Sequence, residues 1–320
     1  MGEKIDSLRL SVTDRCNLNC IYCTPLKKSK FLSKGEVLRY EEMVKLVYLF
    51  VKAGIRKVRI TGGEPLIKKD IITLIKMLRG IEGIEDVSMT TNGVYLESLA
   101  GQLKEAGLNR VNVSLDTLKR ERFKNITGSD SFDDVWNGIK EALNIGLYPV
   151  KLNVILMRGI NDEEMLDFVR LTFRYPLIVR FIELYPTNER SERLTAYLVT
   201  NYEVMEKISN HFGKVQWISG IKGNGPAQYY RLKDAEGTVG FISGFSENFC
   251  NGCNRIRVDC AGRISLCLFS GYVSEMREQL RSGEDEEYLL SCIRELLSKK
   301  SQYKKNITNR CKIEMSSIGG

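Results

Sequence analysis

The chain has 320 residues, 43% of them apolar, and 48 basic against 40 acidic side chains give it a net charge of +8. That is apolar material enough for one large domain or two ordinary ones, and it excludes a disordered chain. No run of about 18 apolar residues predicts a membrane span, and the opening "MGEKIDSLRL" lacks the apolar core of a secretory signal, so a cytoplasmic protein without a membrane partner is expected.

From the N-terminus, short alternating runs predict strands at Leu8–Thr13, Lys57–Thr61, Asp86–Thr90, Arg110–Leu115, Val150–Met157 and Ile178–Leu184. Helical spacing fills the gaps. Glu41–Lys52 places Met43, Leu46, Val47 and Phe50 on one face, and Asp70–Leu78, Leu96–Ala106, Phe132–Asn144 and Asp162–Phe173 read similarly. Glycines after several of these, as in "KAGI", "EAGL" and "NIGL", are helix C-terminal signals. Six βα units imply a parallel sheet covered by helices, and six rather than eight suggest an open, incomplete (βα)6 TIM-like barrel with its chemistry at the C-terminal strand ends.

The pattern changes near residue 200, which predicts a barrel domain over 1–200 and a smaller α+β domain over 201–320. "VQWIS", "QYYRL", "TVGFIS", "RIRVDC" and "ISLCLF" read as short antiparallel strands, and a polar helix is expected over Asp285–Lys299. Trp136 and Trp217 read as packing residues, the lone His211 as a helix-end residue, and Cys292 as core.

Nine cysteines are an odd number for a chain expected in a reducing compartment, and six of them cluster as Cys16/Cys20/Cys23 and Cys250/Cys253/Cys267. Thiolates bind soft metals. A structural zinc wants four ligands, and the first group supplies three with no histidine nearby. A four-iron cluster held by three cysteines keeps one iron open for a chelating ligand. Beyond that loop, "RITGGEPLIKKD" ends the second strand with a glycine pair that lets backbone approach a neighbour. Glu64 beside it can accept a hydrogen bond from an ammonium.

The second group, C-x2-C-x13-C, encloses Cys260, so a four-cysteine zinc site stays open as an alternative. In an extended strand, Cys253, Arg255, Arg257 and Asp259 face one way and Ile256, Val258 and Cys260 the other, which points Cys260 away from the group. The paired guanidiniums suit a phosphorylated ligand.

The spacing C-x3-C-x2-C with Tyr22 before the last cysteine resembles the radical S-adenosylmethionine family. Together "RLSVTDRCNLNCIYCTP", "VRITGGEPL", "MTTNG", "VNVSLD", "VKLNVILMRGIND", "RFIEL", "FCNGCNRIRVD" and the terminal "GG" resemble one of its branches, the molybdenum cofactor biosynthesis protein A family of GTP 3′,8-cyclases. The resemblance covers nearly the whole chain.

It implies two 4Fe–4S clusters, on Cys16, Cys20 and Cys23 and on Cys250, Cys253 and Cys267, with S-adenosylmethionine on the first. It also implies GTP as substrate, an external one-electron donor, and a downstream cyclic pyranopterin monophosphate synthase. No nucleic acid is implied, and a homodimer is allowed for. By motif, S-adenosylmethionine contacts fall on Tyr22, Gly63, Glu64, Ser114 and Tyr185, and GTP contacts on Arg9, Arg59, Thr90, Lys151, Arg255, Ile256 and Arg257. Catalytic roles fall on Arg255, Arg257 and the Gly319–Gly320 tail.

Two departures stand out: Thr24 and Tyr185 replace residues that are usually methionine in the family. The competing readings are a two-cluster radical enzyme acting on peptides, which lacks its longer cysteine-rich C-terminus here, and a zinc-stabilised nucleic-acid-binding protein. The latter leaves the βα units and the "GGEP" turn unexplained.

Overall fold

The computed structural model describes residues 5–23, 31–186, 188–221, 225–246, 253–268 and 271–303. Six parallel strands run side by side in chain order: β1 (Ser7–Ser11), β2 (Lys57–Thr61), β3 (Asp86–Thr91), β4 (Arg110–Ser114), β5 (Lys151–Ile155) and β6 (Ile178–Ile182). Between them lie α1 (Tyr40–Lys52), α2 (Ile71–Arg79), α3 (Leu96–Glu105), the pair α4 (Arg120–Thr127) and α5 (Phe132–Asn144), and α6 (Met165–Arg174). Helix α4 has no clear apolar period because "RERFKNIT" buries only Phe123, Ile126 and Thr127.

Each strand divides its residues between two faces, because successive side chains point opposite ways. Leu8, Leu10, Val58, Ile60, Val87, Met89, Val111, Val113, Leu152, Val154, Val179 and Phe181 are buried in the main core with the helices. Fully burying such a side chain contributes roughly 1.5–3 kcal/mol relative to leaving it exposed. The alternate positions are polar or cationic: Arg9, Arg59, Ser88, Thr90, Arg110, Asn112, Lys151, Asn153 and Arg180.

After β6 come α7 (Glu189–Arg193) and α8 (Asn201–Phe212), then β7 (Gln216–Ile218), β8 (Gln228–Arg231), β9 (Thr238–Ile242), β10 (Arg255–Val258), β11 (Arg263–Ser265) and β12 (Ser274–Glu275). The antiparallel reading holds for the β7/β8, β8/β9, β10/β11 and β11/β12 ladders. Two further ladders are parallel: β9 lies beside β6, and β10 beside β1 with Arg9 opposite Arg257. The 201–320 segment therefore extends the barrel sheet at both edges, in the order β12-β11-β10-β1-β2-β3-β4-β5-β6-β9-β8-β7. Alternation fixes which face a residue takes but not which strand it joins, so the sequence pattern could not place these edges.

The chain closes with α9 (Arg277–Arg281) and α10 (Glu286–Tyr303). Trp136 packs edge-on to Tyr175. Trp217 does not pack as expected: it lies on the edge strand β7 and is 62% exposed. His211 ends α8, where Arg170 meets its ring nitrogen. Cys292 is only half-buried on α10 rather than in the core.

Candidate active site

The first thiol loop leaves the C-terminal end of β1 and is tied down along its length. Backbone hydrogen bonds join Asn19 to Thr127 and Ile21 to Ile126 at the end of α4, and the Asn188 amide donates to the Tyr22 and Cys23 carbonyls. The Tyr22 hydroxyl donates to Asp116 Oδ2 at 2.5 Å, while Asp116 Oδ1 accepts from Ile155 N–H. Burial pushes the Asp116 carboxyl up to about 6. Burial also raises the Cys20 thiol well above its ordinary value, with Cys23, Asp116 and Cys16 adding to the effect. The three thiols therefore lie within electrostatic reach of each other, in surroundings that disfavour further negative charge until a cation joins them.

The glycine pair explains how this loop is held. Gly63 N–H donates to Thr13 O at 2.7 Å and Glu64 N–H to Arg15 O at 2.8 Å. A Cβ on Gly63 would lie 2.1 Å from the Arg15 carbonyl oxygen, and one on Gly62, with φ +154°, 2.6 Å from that of Thr13. The backbone that the glycines admit is thus the segment entering the cysteine loop. Glu64 Oε1 accepts from Leu66 N–H and Thr91 Oγ1–H, and Oε2 from Asn92 N–H. A carboxylate oxygen accepts two such bonds, so Oε2 retains a position for an ammonium. Burial pushes Glu64 up to about 7. Asn92 links the "TTNG" turn to the thiols, donating to Asn17 and lying 3.8 Å from Cys16 Sγ.

The sheet's polar face is a field of cations. Burial lowers Arg9 far below the ordinary guanidinium value, and the like charges of Arg255, Arg257, Arg59 and Arg180 lower it further. Burial does the same to Arg59, with Arg110, Arg180 and Arg255 as its charged neighbours. Lys151 is pushed down to about 6 by burial and then by Arg180, Arg110 and Arg59. Asp86 offsets part of this cluster through its ion pair with Arg110. Nε of Arg9, Arg180 and Arg255 and Nη1 of Arg110 are buried donors without a hydrogen-bond acceptor among the described residues. Orphaned buried donors of this kind are costly, and phosphate oxygens are the acceptors that a converging set of guanidiniums fits. Thr90 sits on this face, accepting from Asn112 at 3.4 Å, and Ser114 ends β4 opposite Asn153.

At the second thiol group, Cys253 and Cys267 are half-buried. Burial pushes Cys253 up, but the charges of Arg255, Lys300 and Arg257 outweigh it and bring the thiol down to about 7. Lys300 Nζ lies 3.8 Å from Cys253 Sγ and donates to Leu266 O at 2.6 Å. Ile256 and Cys260 are fully buried in the core on the opposite parity, as the strand reading requires. Among the described residues no three histidine, cysteine or acidic side chains are placed together to hold a metal ion, and Cys250 lies outside those residues. Glu183 fixes the approach to this group, accepting from Asn201, Phe245 and Ser246 N–H and from the Ser246 hydroxyl.

The structure thus brings Arg9, Arg59, Lys151, Arg255 and Arg257 onto one face and Tyr22, Gly63 and Glu64 around the first thiols, with Tyr185 just past β6. Cys250, Thr24, Gly319 and Gly320 lie outside the described residues. Arg110 and Lys300 join these groups although no motif marks them, and Arg180 opens the "RFIEL" motif without having been singled out. Strand parity alone could have found Arg110, two before Asn112, and Arg180 in "VRFIE".

Residues 10–172 match the Radical SAM superfamily, and residues 177–306 match Molybdenum Cofactor Synthesis C. A GTP 3′,8-cyclase of Heliobacterium modesticaldum is 47% identical over 288 residues, 90% of this chain and 88% of that protein. Another, from Pelotomaculum thermopropionicum, is 44% identical over 319 residues, 99% of this chain and 98% of that one. Among solved structures, Streptococcus suis SuiB bound to S-adenosylmethionine aligns with a TM-score of 0.60 at 16% identity, covering 91% of this chain and 68% of that one, which marks a shared fold.

Proposed function

Because this chain belongs to the radical S-adenosylmethionine superfamily, and within it to the GTP 3′,8-cyclases, we propose that the cationic sheet face is where its GTP is held. The observation that carries the reading is the set of buried guanidinium nitrogens, Nε of Arg9, Arg180 and Arg255 and Nη1 of Arg110, with no hydrogen-bond acceptor among the described residues. Each charge-assisted hydrogen bond that a phosphate oxygen makes there contributes roughly 1.5–3 kcal/mol. Arg9, Arg59, Lys151, Arg180, Arg255 and Arg257 grip the triphosphate, and Thr90 lies among them.

Cys16, Cys20 and Cys23 would hold the 4Fe–4S cluster that takes S-adenosylmethionine, and Cys250, Cys253 and Cys267 the second. Glu64 receives the cofactor's ammonium, and Tyr22, Gly63, Ser114 and Tyr185 line it. When bound, the first cluster and S-adenosylmethionine supply the one-electron chemistry that opens the reaction. The chain's own part is to fix the nucleotide and shield it from water, while a bond forms between ribose C3′ and C8 of the same guanine. Arg255 and Arg257 hold the substrate beside the second cluster through that change. An external one-electron donor feeds the reaction in the cytoplasm, and a cyclic pyranopterin monophosphate synthase consumes the product.

Anaerobic incubation with GTP, S-adenosylmethionine and a strong reductant, followed by mass analysis, tests this reading. 5′-Deoxyadenosine with a product isomeric with GTP is expected. Cofactor cleavage with GTP recovered unchanged, at saturating nucleotide and with both clusters loaded, would overturn it.

A further inference from the structure

Helix α10 carries an apolar stripe whose last position is not apolar. Leu289, Ile293 and Leu296 follow the helical period into the core, and the next residue on that face is Lys300. Lys300 is only 2% exposed. An ammonium group at a core position is strongly disfavoured unless anions or acceptors meet it. The neutral acceptor present is Leu266 O, and the other partner is the Cys253 thiol, with Cys267 close enough to act on Lys300 electrostatically. Among the described residues no carboxylate pairs with it, whereas its exposed neighbour Lys299 pairs with Glu295. The site is therefore built for negative charge carried on sulfur.

We propose that Lys300 is a positioning residue for the second cluster: its ammonium donates to the cluster's thiolate sulfur, balances the charge gained on reduction, and ties α10 to the cluster. The inference rests on the second cluster proposed above. A cation and an N–H···S bond next to a cluster stabilise its reduced form, so removing them lowers the reduction potential. Arg255 and Arg257 face the same sulfurs from β10, and Lys300 approaches from the helical side, so its contribution is separable from theirs.

The test uses full-length, anaerobically reconstituted protein in which Cys16, Cys20 and Cys23 are replaced by alanine, so that only the C-terminal cluster is read. Its midpoint potential is measured by redox titration with electron paramagnetic resonance, without GTP. Lys300→Gln, which keeps a donor but not the charge, is expected to lower the reduction equilibrium constant about tenfold, or about 59 mV for a one-electron couple. Lys300→Arg is expected to restore most of that shift. Iron retained with an unmoved potential in Lys300→Gln overturns the proposal. If Lys300→Gln loses the iron, retention by Lys300→Arg supports the charge argument, and loss in both variants overturns it in favour of a packing role. Absence of iron before Lys300 is touched overturns the cluster reading itself, and this inference with it.

Discussion

The two thiol groups sit in opposite electrostatic surroundings. The Cys16–Cys23 loop is bordered by the buried carboxyls of Asp116 and Glu64, and its Cys16 and Cys20 thiols are raised. Around Cys253 stand Arg255, Arg257 and Lys300, and the thiol is brought down to about 7. A bare metal-binding loop has no need of this asymmetry. It matches what the proposed function asks each site to hold besides metal. S-Adenosylmethionine carries a sulfonium and an ammonium, which carboxylates favour, whereas GTP carries a polyanion, which guanidiniums favour. One sheet supplies both because its strand ends reach the first group while its polar face leads to the second.

The sharpest way to break this comparison is to remove one thiol from each side. Cys16→Ala is expected to reduce 5′-deoxyadenosine formation to background, a loss beyond about 10³-fold. Cys253→Ala is expected to leave slow, uncoupled cofactor cleavage and no cyclised product. Equal loss of cleavage in both, measured by chromatography of anaerobic single-turnover mixtures, would mean that the groups do not divide the work.

A smaller effect tests the cationic side alone. Arg180→Ala removes the buried guanidinium that opens the "RFIEL" motif, and it is expected to weaken GTP binding by roughly 10–100-fold, from one or two charge-assisted bonds. S-Adenosylmethionine affinity is expected to stay within about twofold, because the sites are electrostatically distinct. Anaerobic calorimetry with each ligand reads both quantities. An unchanged GTP affinity would remove Arg180 from the triphosphate site.

The sequence makes the barrel half of this picture legible and the joining of its edges illegible. Motif resemblance named Arg9, Arg59 and Lys151, and alternation along their strands sets them on one face of the sheet with Leu8, Val58 and Leu152 in the core on the other. Cys260 likewise follows from alternation and is in the core. The pairing of β10 with β1 is different in kind, since it joins Arg257 to Arg9 across most of the chain and leaves no local period. Lys300 is hidden for the same reason: on its helix it looks like any exposed lysine, and only tertiary packing brings it to Cys253. Asp116 shows a third limit. "VSLD" marks a strand end, but the partner that gives the aspartate its work is Tyr22, 94 residues away.

The glycine pair offers a graded test of the first site. Gly63→Ala must displace the Arg15 carbonyl from a 2.1 Å contact, and the displaced segment leads directly into Cys16. The expected result is a severalfold loss of N-terminal cluster occupancy, with the C-terminal cluster retained. Iron content would fall from about eight toward about four per chain. Loss of both clusters would point instead to a general folding defect, which the thermal transition of the variant would show.

The smallest effect concerns a proton. Lys151 is held down to about 6 by burial and by Arg180, Arg110 and Arg59, so near pH 7.5 the free protein carries it mostly neutral. A bound triphosphate reverses the balance, favouring the ammonium and raising its pKa, so GTP binding takes up a proton. The sign follows: affinity rises as pH falls from about 8 toward 6, by at most about tenfold per unit, and levels off below about 6, where Lys151 is already charged in the free protein. GTP has its own ionisation in this range, so the informative quantity is the difference from Lys151→Met, which keeps the bulk and loses the proton. Calorimetry in buffers of different ionisation enthalpy is expected to show uptake of part of a proton near pH 7.5 in the unsubstituted protein and less in the variant. Equal uptake in both would mean that Lys151 keeps one charge state throughout, and that the cationic face is preset rather than completed by its substrate.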